Sequence, residues 1–201
     1  MAQTTRADLH TIAQALQANQ RLTTLSGLAL LGSGVLAFLA AGITGNAGLA
    51  APQARVGLAG GALWGMVALW SATLLAAVGL NLSGMLYRAR RDGQPLAARL
   101  GRRVLFAMLP ALAVGGALTL GLALHGRLDL VFGVWMLSYG AALIAAGAHS
   151  VSSVRMLGLF MLLGGALGVL PGSGADFVLF AGTFGAGHFL LGAWVGVRYG
   201  W

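Results

Sequence analysis

The chain has 201 residues, of which 58% are hydrophobic, 8% are charged and 33 are glycine. Its mean hydropathy is +0.86. A soluble domain carries about 25% charged residues and needs them to cover its surface, so this composition excludes a soluble globular enzyme. A disordered chain is excluded as well, because disorder requires low hydrophobicity. The remaining class is a multi-pass integral membrane protein.

Residues 1–23 precede the first long apolar stretch and are polar. Thr5 and Asp8 have the spacing of a helix capping box, and apolar residues then recur at helical spacing from Leu9 to Leu16. This pattern predicts a short amphipathic helix on the cytoplasmic surface of the membrane. A weakly ordered tail is the alternative.

Six uncharged stretches follow, separated by a few Arg and Asp residues. A helix needs about 20 residues to cross the hydrocarbon core of roughly 30 Å, and each stretch reaches that length. The stretches lack alternating polarity, which favours helices over the strands of a membrane barrel. The sequence therefore predicts an all-α membrane bundle in residues 24–201. Its six transmembrane helices are expected near residues 24–44, 57–80, 104–124, 130–148, 155–171 and 177–197.

The distribution of the 12 Arg residues predicts the orientation. If the N-terminus is cytoplasmic, only Arg55 and Arg127 lie on the outer side, in agreement with the positive-inside rule. Both termini are therefore expected in the cytoplasm, and the protein in the inner membrane of a bacterium.

An Arg-rich cytoplasmic loop is predicted over residues 82–103. We expect its Arg side chains to contact the anionic headgroups of that leaflet, with docking of an acidic protein as the alternative. These residues are Arg88, Arg90, Arg91, Arg99, Arg102 and Arg103.

Glycine recurs at every fourth position in three of the predicted helices. Residues four apart share a helix face, where glycine lets another backbone approach closely. The strips predict helix packing within the chain, and a homodimer contact is the alternative. They consist of Gly57, Gly61 and Gly65, of Gly164, Gly168 and Gly172, and of Gly192, Gly196 and Gly200.

Residues 26–42 resemble residues 157–173, and both segments run in the same direction across the membrane in the predicted topology. This likeness is typical of a parallel repeat of helical hairpins. A shared Gly, Ala and Leu composition is enough to generate the same likeness.

No Arg or Asp lies inside a predicted span, which argues against ion-coupled transport and a carboxylate metal site. His188 lies near the middle of the last helix, and Tyr139 lies at a similar depth in the fourth. A hydrogen bond between them is geometrically allowed. One interpretation is a structural bond between helices. The other is a ligand site formed by His188, Tyr139, Ser138 and Trp135.

The segment Trp135-Met136-Leu137-Ser138-Tyr139-Gly140 resembles a family of small bacterial six-helix membrane proteins with no assigned activity. The closing segment Phe184-Gly185-Ala186-Gly187-His188 and the loop segment Gly93-Gln94-Pro95-Leu96 are similar to it as well. The resemblance implies the fold and brings no catalytic residue or cofactor with it.

These observations lead to one functional hypothesis and one alternative. The first is a non-enzymatic inner-membrane protein, either a helper or structural subunit of a membrane complex or a binder of lipids or apolar ligands. Its expected partners are anionic lipids and a membrane protein or second copy, not nucleic acid. The alternative is a small permease or channel for an uncharged or lipophilic solute, which Pro110 favours by predicting a kinked third helix. No catalytic residue, metal or cofactor is expected.

Overall fold

A computed structural model describes residues 25–91, 97–170 and 174–199, without the side chains of residues 97–100 and 199. This part of the chain contains helices and no strand. The helices are α1 (Gly27–Asn46), α2 (Gly60–Arg91), α3 (Ala97–Leu124), α4 (Val131–Ala146), α5 (Ser152–Gly168) and α6. α6 consists of an α-helical start (Asp176–Phe180), a π-helical turn (Ala181–Ala186) and an α-helical remainder (Gly187–Tyr199).

Five of the six helices are long and apolar enough to cross a membrane, and α5 is a shorter apolar helix. The prediction of a helical bundle with several membrane-spanning helices is thereby confirmed. The amphipathic helix predicted in residues 1–23 lies outside the described residues.

The predicted loop over residues 82–103 is mostly helical. α2 continues without interruption to Arg91 and α3 begins at Ala97. The loop prediction is wrong for the helical residues, because it ends the helix near residue 80, where its length already spans the hydrocarbon core. A helix that leaves the hydrocarbon can continue into the interface, where its Arg side chains reach headgroups and water.

The helices form a ring in chain order. Each packs against the one before it and the one after it, and α6 closes the ring against α1. The tightest pairs are α4 with α5 and α6 with α1, whereas α2 and α3 have little mutual contact. The ring therefore has one loosely packed side, between α2 and α3.

Glycines hold α6 against α1 at backbone contact. A Cβ added at Gly192 would lie 2.8 Å from Gly27 O and 2.6 Å from Leu31 N. One added at Gly34 would lie 2.8 Å from Gly185 O. No side chain fits at these distances, so each position requires glycine.

α4 and α5 repeat the same contacts. A Cβ added at Gly140 would lie 2.8 Å from Gly158 O and 2.9 Å from Leu162 N, and one at Gly165 would lie 2.9 Å from Gly133 O. Each of these contacts matches one in the α6–α1 pair, at the same relative spacing. α1 is thus equivalent to α5 in these contacts, as the likeness of residues 26–42 and 157–173 suggests. A repeat of hairpins would make α2 equivalent to α6, whereas the contacts make α4 equivalent to α6, so they do not support that part of the prediction.

The glycines of α1 and α5 that make these contacts are seven residues apart, whereas Gly192 and Gly196, four apart on α6, both meet Gly27. Of the predicted strips, Gly192 and Gly196 do face α1, while Gly164 and Gly168 lie near Met136 and α6. The strip in α2 is wrong as an intrachain contact. Gly57 lies in a turn before the helix, with φ 67°, and no atom lies within 4 Å of a Cβ added at Gly57, Gly61 or Gly65. Gly172 and Gly200 lie outside the described residues.

The glycine contacts give a matched stability test. We expect Gly140→Ala and its repeat equivalent Gly192→Ala to destabilise the protein by about 1–3 kcal/mol, because the added methyl group overlaps a backbone atom. Gly116→Ala is the control, since no atom lies within 4 Å of a Cβ added there. Thermal unfolding in detergent measures all three. An equal loss in Gly116→Ala would show that the close contacts are not responsible.

Candidate functional site

The π-helical turn shapes the inner face of α6. It occupies Ala181–Ala186, between Phe180 and His188. In a π-helical turn the backbone hydrogen bonds join residues five apart instead of four, so the turn contains one extra residue. Phe180, Phe184 and His188 all have ring contacts toward the centre of the bundle. π-turns of this kind frequently occur at functional sites.

His188 and Tyr139 form the hydrogen bond that their similar depth allows. The Tyr139 hydroxyl lies 3.2 Å from His188 Nε2, and His188 Nδ1 lies 2.8 Å from the carbonyl oxygen of Phe184. A carbonyl only accepts, so Nδ1 carries the proton and Nε2 accepts from the Tyr139 hydroxyl. His188 is buried, and both of its ring nitrogens are engaged. The neutral imidazole therefore ties α6 to α4.

Trp135 and Ser138 connect α4 to α3. The Trp135 indole donates to the Thr119 hydroxyl at 2.9 Å, and Thr119 donates to Gly115 O at 2.7 Å. Ser138 donates to Val134 O of its own helix at 2.9 Å. A Cβ added at Gly115 would lie 2.6 Å from Ser138 Cβ, so this serine packs closely against α3.

An aromatic cluster fills the half of the ring nearer Arg55. The Phe180 ring lies 4.9 Å from that of Trp70, 4.7 Å from Phe132 and 4.5 Å from Phe184, measured between centroids. Trp135 joins the cluster at 5.8 Å from Trp70. Trp70 is the only one of these residues contributed by α2, and its buried indole N–H has no acceptor among the described residues.

The four sequence-predicted residues therefore surround one region, the centre of the ring. Tyr139 and His188 bond directly to each other, while Trp135 and Ser138 contact α3 instead. Trp135, Ser138 and Tyr139 are half-buried, although they lie in the middle of a transmembrane helix. The chain therefore leaves part of these three side chains uncovered.

A buried ion pair at the end of the ring escaped the sequence reasoning. Arg55 and Asp176 are 0% and 1% exposed and form a hydrogen-bonded salt bridge. Arg55 also donates to the backbone carbonyls of Leu49, Ala50, Leu128 and Asp129. Its guanidinium carbon lies 4.6 Å from the centroid of the Phe132 ring.

This ion pair joins three connecting regions of the chain. Arg55 precedes α2, Leu128 precedes α4 and Asp176 begins α6. Burial lowers the pKa of Arg55, and the carboxylates of Asp176 and Asp129 oppose that change. A guanidinium stays charged in proteins, so the pair is ionic. The two residues are far apart in the chain and lie at helix ends, where a charge is expected in any membrane protein. Their pairing therefore cannot be predicted from the sequence.

A second missed contact joins α1 and α2. The Asn81 amide donates to the Ser33 hydroxyl at 2.8 Å and to Ala77 O at 2.8 Å. The predicted helix ends near residue 80, so Asn81 was expected to lie outside it. Polar side chains that bond across helices stabilise membrane bundles, by about 0.6 kcal/mol each on average.

The predicted headgroup-binding arginines divide into two groups. Arg88 is buried and donates to Leu25 O at the start of α1, so headgroup contact is wrong for this residue. A charged side chain that is buried in a bundle needs hydrogen-bond partners inside the protein, and backbone carbonyls can serve as those partners. Arg90, Arg91, Arg102 and Arg103 are exposed, whereas the side chain of Arg99 lies outside the described residues.

Neither a metal site nor a relative helps to assign this region. Within the described ranges, no group of three or more His, Cys, Asp or Glu side chains is arranged to hold a metal ion. Comparison of the chain with protein-family models, curated proteins and solved structures gave no match. The family resemblance therefore stays a prediction.

The ion pair gives a prediction with an internal control. We expect Arg55→Met to lower the free energy of unfolding by about 3–5 kcal/mol, because it leaves the Asp176 carboxylate buried without its cation. The double variant Arg55→Met with Asp176→Leu should recover part of that loss, since it removes both charges. Denaturation in mixed micelles measures the change.

The pair of Arg127 and Asp129 is the control, because the Arg127 side chain is 55% exposed, although that of Asp129 is 15% exposed. Arg127→Gln should change stability little, because solvent and ions screen exposed pairs. A single-variant loss no larger than that of Arg127→Gln would contradict the role given to Arg55.

Proposed function

We propose that the protein is a non-enzymatic membrane protein that binds a lipid or another largely apolar ligand at the centre of its helix ring. The observation that carries this proposal is the incomplete cover of Trp135, Tyr139 and Phe184. Each lies in the middle of its helix and contacts residues of other helices, yet each keeps part of its surface open.

The loosely packed side of the ring supplies a path from the bilayer. Along residues 71–83 of α2, the half-buried positions are Thr73, Ala77 and Asn81, a single stripe that includes the contact with Ser33 of α1. The other positions of this stretch are exposed. α2 therefore leans on α1 and leaves its side toward α3 open to lipid chains.

The two helices are joined at both ends of this opening. Gly57 N donates to Gly126 O at 2.9 Å at one end. At the other end, a Cβ added at Gly101 would lie 2.8 Å from Met85 Cε. The opening is thus a lateral window within the membrane, bounded above and below.

The chemistry of the centre favours an apolar ligand with few polar groups. Its surface consists mainly of aromatic rings, and the hydroxyls of Tyr139, Ser138 and Thr119 already donate to protein acceptors. The Trp70 N–H is a buried donor of this region that has no acceptor among the described residues. A charged solute would find no compensating charge here, which an apolar medium requires.

Photolabelling tests this proposal. A fatty acid with a diazirine on its chain, added to phosphatidylcholine vesicles, should label residues around Trp135, Tyr139 and Phe184. Excess unlabelled oleate should suppress that labelling, because the site saturates. Labelling at Leu190 of α6, which is 67% exposed, should stay unchanged because it reports bulk lipid contact. Labels confined to such outward residues would contradict the proposal.

A second candidate function is a subunit that binds another membrane helix through α2. It is favoured by Gly61 and Gly65, which are exposed next to Trp64, whose surface is 69% exposed. Small residues on a membrane helix let a partner backbone approach. Neighbouring helices of a second copy, or of a different membrane protein, would cover this face.

Cysteine cross-linking tests the second candidate, and it is clean because the chain has no Cys. Under mild oxidation in native membranes, Gly65→Cys should give a cross-linked homodimer, because the glycine face lies at the contact. Val67→Cys lies at the same depth, roughly 160° away around the helix, and serves as the control. Equal cross-linking of both variants would indicate random collision.

We also propose an orientation of the chain in the membrane. Both termini and the Arg-rich ends of α2 and α3 lie in the cytoplasm of a bacterium, since that leaves only Arg55 and Arg127 outside. Alkaline phosphatase fused after Gln53 should be active, and a fusion after Trp201 inactive. The reverse pattern would overturn this orientation.

A further inference from the structure

We propose that the ligand entering between α2 and α3 is an anionic phospholipid, held at its headgroup by Arg90, Arg102 and Arg103. Its acyl chain would lie along the lateral window toward Trp135 and Tyr139. This inference rests on the proposed function and names the class of ligand for the same site.

The charges stand where a headgroup would lie. Arg90 is in the last turn of α2, and Arg102 and Arg103 follow shortly after the start of α3. All three side chains are exposed. The Met85–Gly101 contact brings the two helices together just inside these residues. Basic side chains between transmembrane helices bind the phosphates of anionic lipids in this way.

The surface next to these charges is apolar on both helices. Leu82 and Leu86 of α2 are 46% and 47% exposed, and Leu105 and Leu109 of α3 are 52% and 53% exposed. Each pair is spaced four residues apart and so lies along one face of its helix. A headgroup at the arginines would therefore place its chains against leucine.

The helical rise allows the length of the window to be compared with the length of an acyl chain. The helical rise puts Gly115 about 20 Å along α3 from Arg102, and Gly115 packs against Ser138 beside Tyr139. One leaflet contributes about 15 Å of hydrocarbon. A chain whose headgroup contacts Arg102 therefore ends about 5 Å short of the depth of Gly115, at the near edge of the aromatic centre.

The charges also separate this ligand from other apolar molecules. A zwitterionic lipid places a cation beside its phosphate and gains less from three nearby guanidinium groups. A neutral apolar molecule has no acidic group that could accept bidentate Arg contacts. The site should therefore select the headgroup at the arginines and accept varied chains at the window.

Two single-Trp proteins test the proposal, each with all other Trp residues changed to Phe. One keeps Trp135, at the centre, and the other keeps Trp194, which is 46% exposed on α6. Both are reconstituted in phosphatidylcholine vesicles with increasing phosphatidylglycerol brominated near the chain ends. Bromine quenches Trp fluorescence only on close contact. Quenching of Trp135 should saturate at a low fraction of phosphatidylglycerol, while quenching of Trp194 should rise in proportion to it.

The arginines supply the decisive variants. Arg102→Gln with Arg103→Gln should weaken the apparent affinity seen at Trp135 about 30-fold. Arg198→Gln is the matched control, because it removes an exposed Arg from the corresponding end of α6 and should change nothing. Circular dichroism and monodisperse elution establish that each variant is folded.

Different results would contradict headgroup selection and ligand access through the window. If brominated phosphatidylcholine quenches Trp135 equally well and the Arg variants have no effect, headgroup selection is wrong while ligand access stands. If neither lipid quenches Trp135 while Trp194 is quenched, access through the window is wrong and the proposed function fails with it. Should the single-Trp135 protein not fold, mass spectrometry of the unmodified protein titrated with each lipid decides the headgroup question. Equal retention of both lipids would overturn it.

Discussion

The structure depends on backbone contact between antiparallel helices that carry glycine where they meet. In a membrane, no water is released when two apolar helices associate, so the attraction must come from close packing. Gly27 and Gly34 of α1 supply that packing against α6, and Gly158 and Gly165 of α5 supply it against α4. This one type of glycine contact occurs in two helix pairs and so fixes four of the six helices.

The pair of α2 and α3 differs because it lacks these glycine contacts. α2 and α3 are joined at their ends and separate between them, so they expose most of their surface. In a soluble protein such exposed leucines would invite aggregation, but lipid chains are a suitable solvent for them. Four of the six helices are therefore closely packed, whereas the side between α2 and α3 is open. A ligand can bind on that side without disturbing the core.

The coarse fold could be predicted from the sequence because the hydrocarbon core imposes a simple requirement on length and polarity. His188 and Tyr139 could be brought to one depth by counting residues from the helix ends. The seven-residue spacing of Gly133 and Gly140 could not be separated from the many other glycine spacings, since glycine occurs on every face. The Arg55–Asp176 pair depends on which loops meet, and no local pattern encodes that. The partial exposure of Trp135 and Tyr139 depends on how α2 packs against α1, and no local sequence pattern predicts that packing.

The π-helical turn of α6 gives this helix two independent rotational settings. The segment before it presents Asp176 to Arg55 and Phe180 to Trp70, while the segment after it presents Gly192 to α1 and His188 to Tyr139. One residue turns a helix by about 100°, so a regular α-helix would satisfy only one of these sets. The extra residue in the turn lets both be satisfied at once. α6 thus acts as two half-helices in register with different neighbours, joined at the depth of the proposed site.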